Sequence, residues 1–220
     1  MQADPERALA LDYAPAETRA ALHALFALDD AFGQVLRTTT EPMIGQMRLA
    51  WWHEALRKLD DAPPPAQPVL QGLADAVLPR GVSGAALADL VTGWEALIEA
   101  ETIDEAAMHA HADARGGGMF AVAAAVLGQS DPRVAAAGRG WALADLSRHL
   151  RAAGAAGQAR AMAESALAAA LVGAWPARLR SLGALTLIAR MNLKVAADAP
   201  IPAGAPRRVA RLMLHRMTGR

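Results

Sequence analysis

Apolar residues recur at helical spacing over most of the chain, and the breaks between those stretches carry proline and glycine. Behind Pro15, the positions Leu22, Leu25, Phe26, Leu28, Phe32 and Leu36 set a helical repeat from Ala16 to about Leu36. Thr38-Thr39-Thr40-Glu41-Pro42 interrupts it, and Pro42 suits the first turn of a second helix to about Leu59. That helix is expected to place Met43, Ile44, Met47, Trp51, Ala55 and Leu56 on one face. Asp60 through Pro68, with Pro63, Pro64 and Pro65, reads as a surface loop before a short helix to Leu78. Ser83 is placed to cap a helix running to about Ala100, and Asp104 to cap another. Gly116-Gly117-Gly118 interrupts the pattern, and Met119 to Leu127 reads as buried on most sides. Asp131-Pro132 opens a helix through Trp141 and Leu150 that Gly154 and Gly157 are expected to break. Helices over about Gln158–Gly173 and Pro176–Ala197 follow, and Pro200, Pro202 and Pro206 set off a last one, Arg207 to Met217. The expectation is an all-α protein forming one domain over residues 1–220.

Composition strengthens the helical reading. Apolar residues make up 54% of the chain, much of it alanine, the best helix former and small enough to let helices approach closely. β-Branched and aromatic residues are sparse, with one tyrosine and three phenylalanines, so strands are poorly supported. Without cysteine, disulfides, thiolate catalysis and cysteine-ligated zinc are excluded. The start, Met1 to Glu6, carries two acids before the first arginine and no apolar core follows, which argues against a secretory signal. Met119–Gly128 and Ala166–Trp175, the longest apolar stretches, are about half of the roughly 20 residues a membrane span needs. A cytoplasmic protein is expected. The net charge of zero hides an asymmetry: residues 1–113 stand at −11 and residues 114–220 at +11. Either the halves face each other, or the basic half meets an anionic partner, or the charges are simply solvated.

Three stretches in order carry a family resemblance. They are Leu25-Phe26-Ala27-Leu28 paired with Ile44-Gly45-Gln46-Met47-Arg48-Leu49-Ala50-Trp51-Trp52-His53-Glu54-Ala55-Leu56, then Ala114-Arg115-Gly116-Gly117-Gly118-Met119-Phe120 running to Leu127-Gly128, and Gly138-Arg139-Gly140-Trp141-Ala142-Leu143-Ala144-Asp145-Leu146-Ser147-Arg148. Over about residues 5–155 the sequence resembles the squalene/phytoene synthase family. The first stretch is most similar to its divergent branch, which includes a mitochondrial complex I assembly factor. The resemblance implies an isoprenoid (terpenoid) synthase-like orthogonal helical bundle, here shortened, around a central cavity. In the family's enzymes, two DxxxD helices face each other across that cavity. Carboxylates at i and i+4 share a helix face and hold the magnesium ions that neutralise a departing diphosphate.

The chain departs from that pattern at both places. The alignment sets Gly33 and Arg37 where the first pair of aspartates would stand, with Asp29 and Asp30 a turn earlier. In the second segment Asp145 is the only acid, accompanied by Arg148 and His149. Magnesium is therefore not expected unless a working prenyltransferase uses substituted ligands, drawn from Asp29, Asp30 and Asp145 with Glu95 or Glu99. The chain is also shorter than the family's enzymes, with little between Arg151 and Gln158, so the cavity could be open or collapsed on that side. Asp29, Asp30, Arg48, Trp51, Trp52, Phe120 and Trp141 are the candidates for cavity or ligand contact. No catalytic residue and no metal ligand is assigned.

Other clusters carry bland readings beside the chemical ones. Asp145 and His149, four apart, read as a surface hydrogen-bonded pair or half a metal site; His109, His111 and Asp113 read as a solvated loop or, if extended, as ligands. Glu95, Glu99, Glu101, Asp104 and Glu105 read as a solvated acidic face. The glycine triplet is not a nucleotide loop, and no G-x-S-x-G elbow occurs. In the last helix, Arg207, Arg208, Arg211 and Arg216 lie beside Val209, Leu212, Met213, Leu214 and Met217 with no acid among them. That suits an anionic membrane surface, at the inner membrane face, or an acidic protein partner; docking on the chain's own acidic half is the alternative. Nucleic acid is not expected, because aromatic residues are not interleaved with the basic ones. Oligomeric state is open. Two functions follow: a non-catalytic scaffold, assembly factor or isoprenoid/lipid-binding protein, favoured by the lost aspartates, or a magnesium-dependent prenyltransferase joining prenyl diphosphates.

Overall fold

Proline and side-chain caps set half of the helix starts. The computed structural model describes residues 4–220, so the first three residues of the Met1–Glu6 stretch lie outside it. The helices are α1 (Pro5–Leu11), α2 (Ala16–Thr38), α3 (Pro42–Lys58), α4 (Pro68–Ala76), α5 (Gly84–Ala88), α6 (Thr92–Glu99), α7 (Glu105–His111), α8 (Met119–Val126), α9 (Val134–His149), α10 (Ala153–Ala170), α11 (Arg180–Leu193) and α12 (Pro206–Thr218). Pro5, Pro42, Pro68 and Pro206 stand in first turns, where a missing N–H costs nothing. Asp4 accepts from the N–H groups of Glu6 and Arg7 to cap α1; Ser83 and Asp104 cap α5 and α7 as expected. There is no strand among the described residues.

Three local expectations are corrected. The glycine triplet does not end a helix: Ala112–Gly118 winds as a wide π-helical segment joining α7 to α8 into one continuous rod. Gly154 and Gly157 do not break one either. The chain turns earlier, at Leu150–Ala152, and both glycines lie inside α10, with open space where a Cβ would be. In α3 the buried side is Gly45, Leu49, Trp52, Ala55 and Leu56, while Met43, Ile44, Met47 and Trp51 face outward. The reason is close packing at Gly45, where a Cβ would crowd the Ile98 side chain, so the small residue faces the bundle and the methionines cannot.

One large core runs through most helices, with Phe26, Phe32 and Phe120 fully buried. A smaller core joins Met108, Leu143, Leu146, Leu167 and Leu193 to the alanines of α10, which bring that helix close against α9, with Leu167 over Gly140. Trp141 packs against both cores, and the central cleft opens beside it. The two oppositely charged halves of the sequence do meet. Arg115 pairs with Asp29 and Arg208 with Glu6, both buried, while Arg139–Asp113 and Arg178–Glu17 join them at the surface.

Candidate functional site: an arginine at the centre of the cleft

Glycines on three elements bring the site together. Gly116 and Gly138 face each other so closely that a Cβ on either would collide with the other's carbonyl oxygen, which seats the π-helical segment on α9. A Cβ on Gly93 would strike the backbone of Arg115, so α6 lies equally close on the other side. The side chain of Arg115 is thereby delivered between α2, α6 and α9, where the residue is only 5% exposed.

All three nitrogens of that guanidinium are engaged. Nε donates to Asp29 Oδ1 at 2.8 Å and Nη2 to Asp29 Oδ2 at 2.9 Å, a two-pronged pair with α2. Nη1 donates to Asp145 Oδ2 on α9 at 2.7 Å and lies 3.4 Å from His111 Nε2. The guanidinium carbon sits 4.3 Å from the Trp94 ring centre and 4.7 Å from that of Trp141, cation–π contacts strengthened by burial. His111, one helical turn before Arg115, lies 2.6 Å from the Gly93 carbonyl through Nδ1. A carbonyl can only accept, so Nδ1 carries the proton and Nε2 faces Arg115 as an acceptor. Burial, aided by the Arg115 charge, lowers the His111 pKa to about 3 against the opposing pull of that carbonyl. Burial likewise pushes Arg115 down, but Asp29 and Asp145 outweigh it and hold the guanidinium charged. Burial pushes Asp145 up, but the charge and hydrogen bond of Arg115, joined by His149 and His111, together hold it below its ordinary value, so it stays an anion. Its side chain is 41% exposed: one oxygen is bound, and Oδ1 looks toward His149, 3.6 Å away.

The cleft around this arginine is open. A cavity of about 330 Å³ is lined by Asp29, Asp30, Gly33, Trp94, Trp141 and Asp145, closed behind by Leu185, Ile188 and Ile201. An adjoining one of about 720 Å³ shares Gly33, Arg37, Trp94, Arg115, Asp145 and His149 and is walled by Leu36, Leu97, Ile103 and Leu150. Among the described residues the Trp94 indole N–H, buried in this wall, has no partner. Asp30 is held by Arg7 through two hydrogen bonds of 2.8 and 2.5 Å. Arg37 folds back over Gly33, where a Cβ would come within 2.9 Å of its Nη1. Arg148, also at the rim, donates to the Ala196 and Ala199 carbonyls.

All five motif positions, Gly33, Arg37, Asp145, Arg148 and His149, thus line the cleft, as do Asp29, Asp30 and Trp141. Four candidates do not. Arg48 is exposed and reaches Thr38 and Thr39; Trp51 is exposed on α3; Trp52 is core, edge-on to Phe32; and Phe120 is core beneath Trp141. The helix faces place these four away from the opening. His111 is fully buried rather than in a solvated loop, because the helix continues through it. Arg208 does not face a partner: it is buried against Glu6 at 2.5–3.0 Å and also donates to Asn192. Glu95, Glu99 and the neighbouring acids are outside the cleft lining. The sequence reading missed Arg115 and Trp94 as site residues and weighed His111 only within a trio with His109 and Asp113. The available signal was a lone arginine before the glycine triplet, one turn after a histidine.

The opposing walls each present a single acid to the arginine, Asp29 on α2 and Asp145 on α9, in place of an i, i+4 pair on each. Their charge is already met by Arg115. Among the described residues no group of three or more His, Asp or Glu is placed to hold a metal ion, so the residues do not fit magnesium as the DxxxD pattern would hold it.

A helical bundle with facing acids around a central cleft defines the class, an isoprenoid-synthase fold. The chain belongs to the squalene/phytoene synthase family, whose model matches residues 1–191 and so extends past the expected limit near residue 155. Comparisons with curated proteins and with solved structures found no match. No helix among the described residues is long and apolar enough to cross a membrane.

Proposed function

We propose that this chain is a non-catalytic member of the family that acts as a scaffold or assembly factor, of the divergent branch, with a cleft that takes an isoprenoid-like or other lipid ligand. The observation that carries the reading is Arg115. A resident guanidinium takes the place between two walls where a diphosphate-ionising enzyme needs divalent cations, and it cannot leave without stranding a buried carboxylate at Asp29. The unpartnered Trp94 N–H and the apolar walls of the larger cavity support a ligand role for the space that remains. The outward stripe of Met43, Ile44, Met47 and Trp51 on α3 supports a scaffold role, since adaptable methionines beside an aromatic ring suit a protein partner.

The competing prenyltransferase reading needs Asp29, Asp30 and Asp145 as ligands, and each is already held by an arginine. Incubation with farnesyl or geranylgeranyl diphosphate and magnesium separates the two. No pyrophosphate above the protein-free rate is expected. Release that disappears in Asp29→Asn and Asp145→Asn would establish the enzyme instead. For the scaffold role, Met47→Glu and Trp51→Glu are expected to abolish capture of a partner from the native membrane fraction.

A further inference from the structure

The last helix, α12, is held mainly by one face, with Arg216 at its edge lying 5.3 Å over the Tyr13 ring centre. Leu212, Arg208 and His215 point inward and are buried, with Arg208 locked to Glu6. On the opposite side Met213 and Met217 are 57% and 72% exposed, joined by exposed Leu214. Helical spacing places this apolar strip along the middle of the outward face, with Arg207 and Arg211 along one edge and Arg216 along the other. Those arginines are exposed, and among the described residues none has a carboxylate partner. Beyond the Arg207–Arg211 edge, a groove of about 1080 Å³ between α11 and α12 adds Arg190 and Lys194, and no acid lines it. The groove wall also contains Trp175, buried, whose indole N–H has no partner among the described residues.

We infer that α12 is a docking face for an anionic lipid bilayer, with Met213, Leu214 and Met217 entering the headgroup–acyl boundary and the flanking arginines and the groove engaging lipid phosphates. The charge pattern selects this occupant. Arginines on both edges of an exposed apolar strip let long side chains reach outward to phosphates while the strip sinks, the arrangement of a helix lying in an interface plane. This inference stands apart from the cleft and its ligand.

The test is flotation of the full chain with phosphatidylcholine vesicles, with and without phosphatidylglycerol, at low and high salt. The wild type should float with the anionic vesicles, much less with the neutral ones, and high salt should release it. Arg207→Gln with Arg211→Gln should lower partitioning roughly 25-fold, at about fivefold per arginine. Met213→Ser with Met217→Ser should lower it about tenfold or more. Arg57→Gln, an exposed arginine on α3, should change nothing, and unchanged thermal melting certifies the fold of each variant. Equal flotation on neutral vesicles, or no flotation on anionic ones, overturns the inference. So does a loss with the arginine pair but none with the methionine pair, which would show electrostatic adsorption with the apolar strip left outside the bilayer. Free inorganic phosphate should not compete at concentrations that leave ionic strength unchanged; competition there would reduce the surface to a soluble-anion site.

Discussion

Replacing Arg115 with methionine removes the cation and keeps much of the side-chain volume. It leaves Asp29, whose side chain is only 3% exposed, without its two-pronged partner. Removing one member of a buried ion pair costs roughly 3–5 kcal/mol. Losing the contacts over Trp94 and Trp141 adds on the order of 1 kcal/mol. For a chain of this length the melting temperature should fall by about 10 °C or more. Adding Asp29→Asn to Arg115→Met removes the stranded charge as well, and should return stability to within roughly 2 kcal/mol of wild type. Asp145→Asn alone should cost about 1 kcal/mol or less, because that carboxylate is 41% exposed and water can replace the arginine. Urea denaturation followed by circular dichroism reads all four proteins. An Arg115→Met variant within about 1 kcal/mol of wild type, or a double variant no better than the single, would refute the reasoning from buried charge.

His111 gives the protein an acid-sensitive stability. Its pKa is about 3 in the folded state, below an ordinary value near 6.5, so the native state keeps it neutral while the unfolded chain takes up a proton. Stability is therefore complete above about pH 6.5 and falls on acidification, by roughly 2 kcal/mol at pH 5. His215, lowered by burial, adds loss of the same sign. A urea midpoint unchanged between pH 7 and pH 5 would contradict this. Gly138→Ala should cost about 2 kcal/mol or more, because the new methyl meets the Gly116 carbonyl; Gly154→Ala, in open space within α10, should be neutral or stabilising by about 0.5–1 kcal/mol. Thermal melts of the two read the contrast, and equal effects would deny the helix crossing. Glu6→Gln should destabilise by roughly 3 kcal/mol and expose α12 to proteolysis, since Arg208 is then buried without its carboxylate. Unchanged protease resistance would show that α12 is held by packing alone.

Much of the fold was legible because helices are local. Prolines at first turns, caps at Ser83 and Asp104 and the repeat from Leu22 to Leu36 depend on neighbours a few residues away. The family motifs lie on α2 and α9, which face each other across the cleft, with Gly33, Arg37 and Asp145 in its lining. The face of α3 was misread because Met43, Met47 and Trp51 satisfy a hydrophobic repeat, and Gly45, which decides the packing, has no hydrophobicity to register. Arg115 escaped for a different reason. Its partners Asp29 and Asp145 lie 86 and 30 residues away, and the backbone that aims it is a π-helical turn set by glycine contacts with two other helices. No spacing rule within one segment can show such a pairing.

Anomalous diffraction from crystals grown with manganese and inorganic pyrophosphate tests Arg115 as the resident cation most directly. The expected map shows its guanidinium still bridging Asp29 and Asp145 and no metal peak between them. A manganese ion bound by those two carboxylates, with Arg115 swung aside, would contradict it.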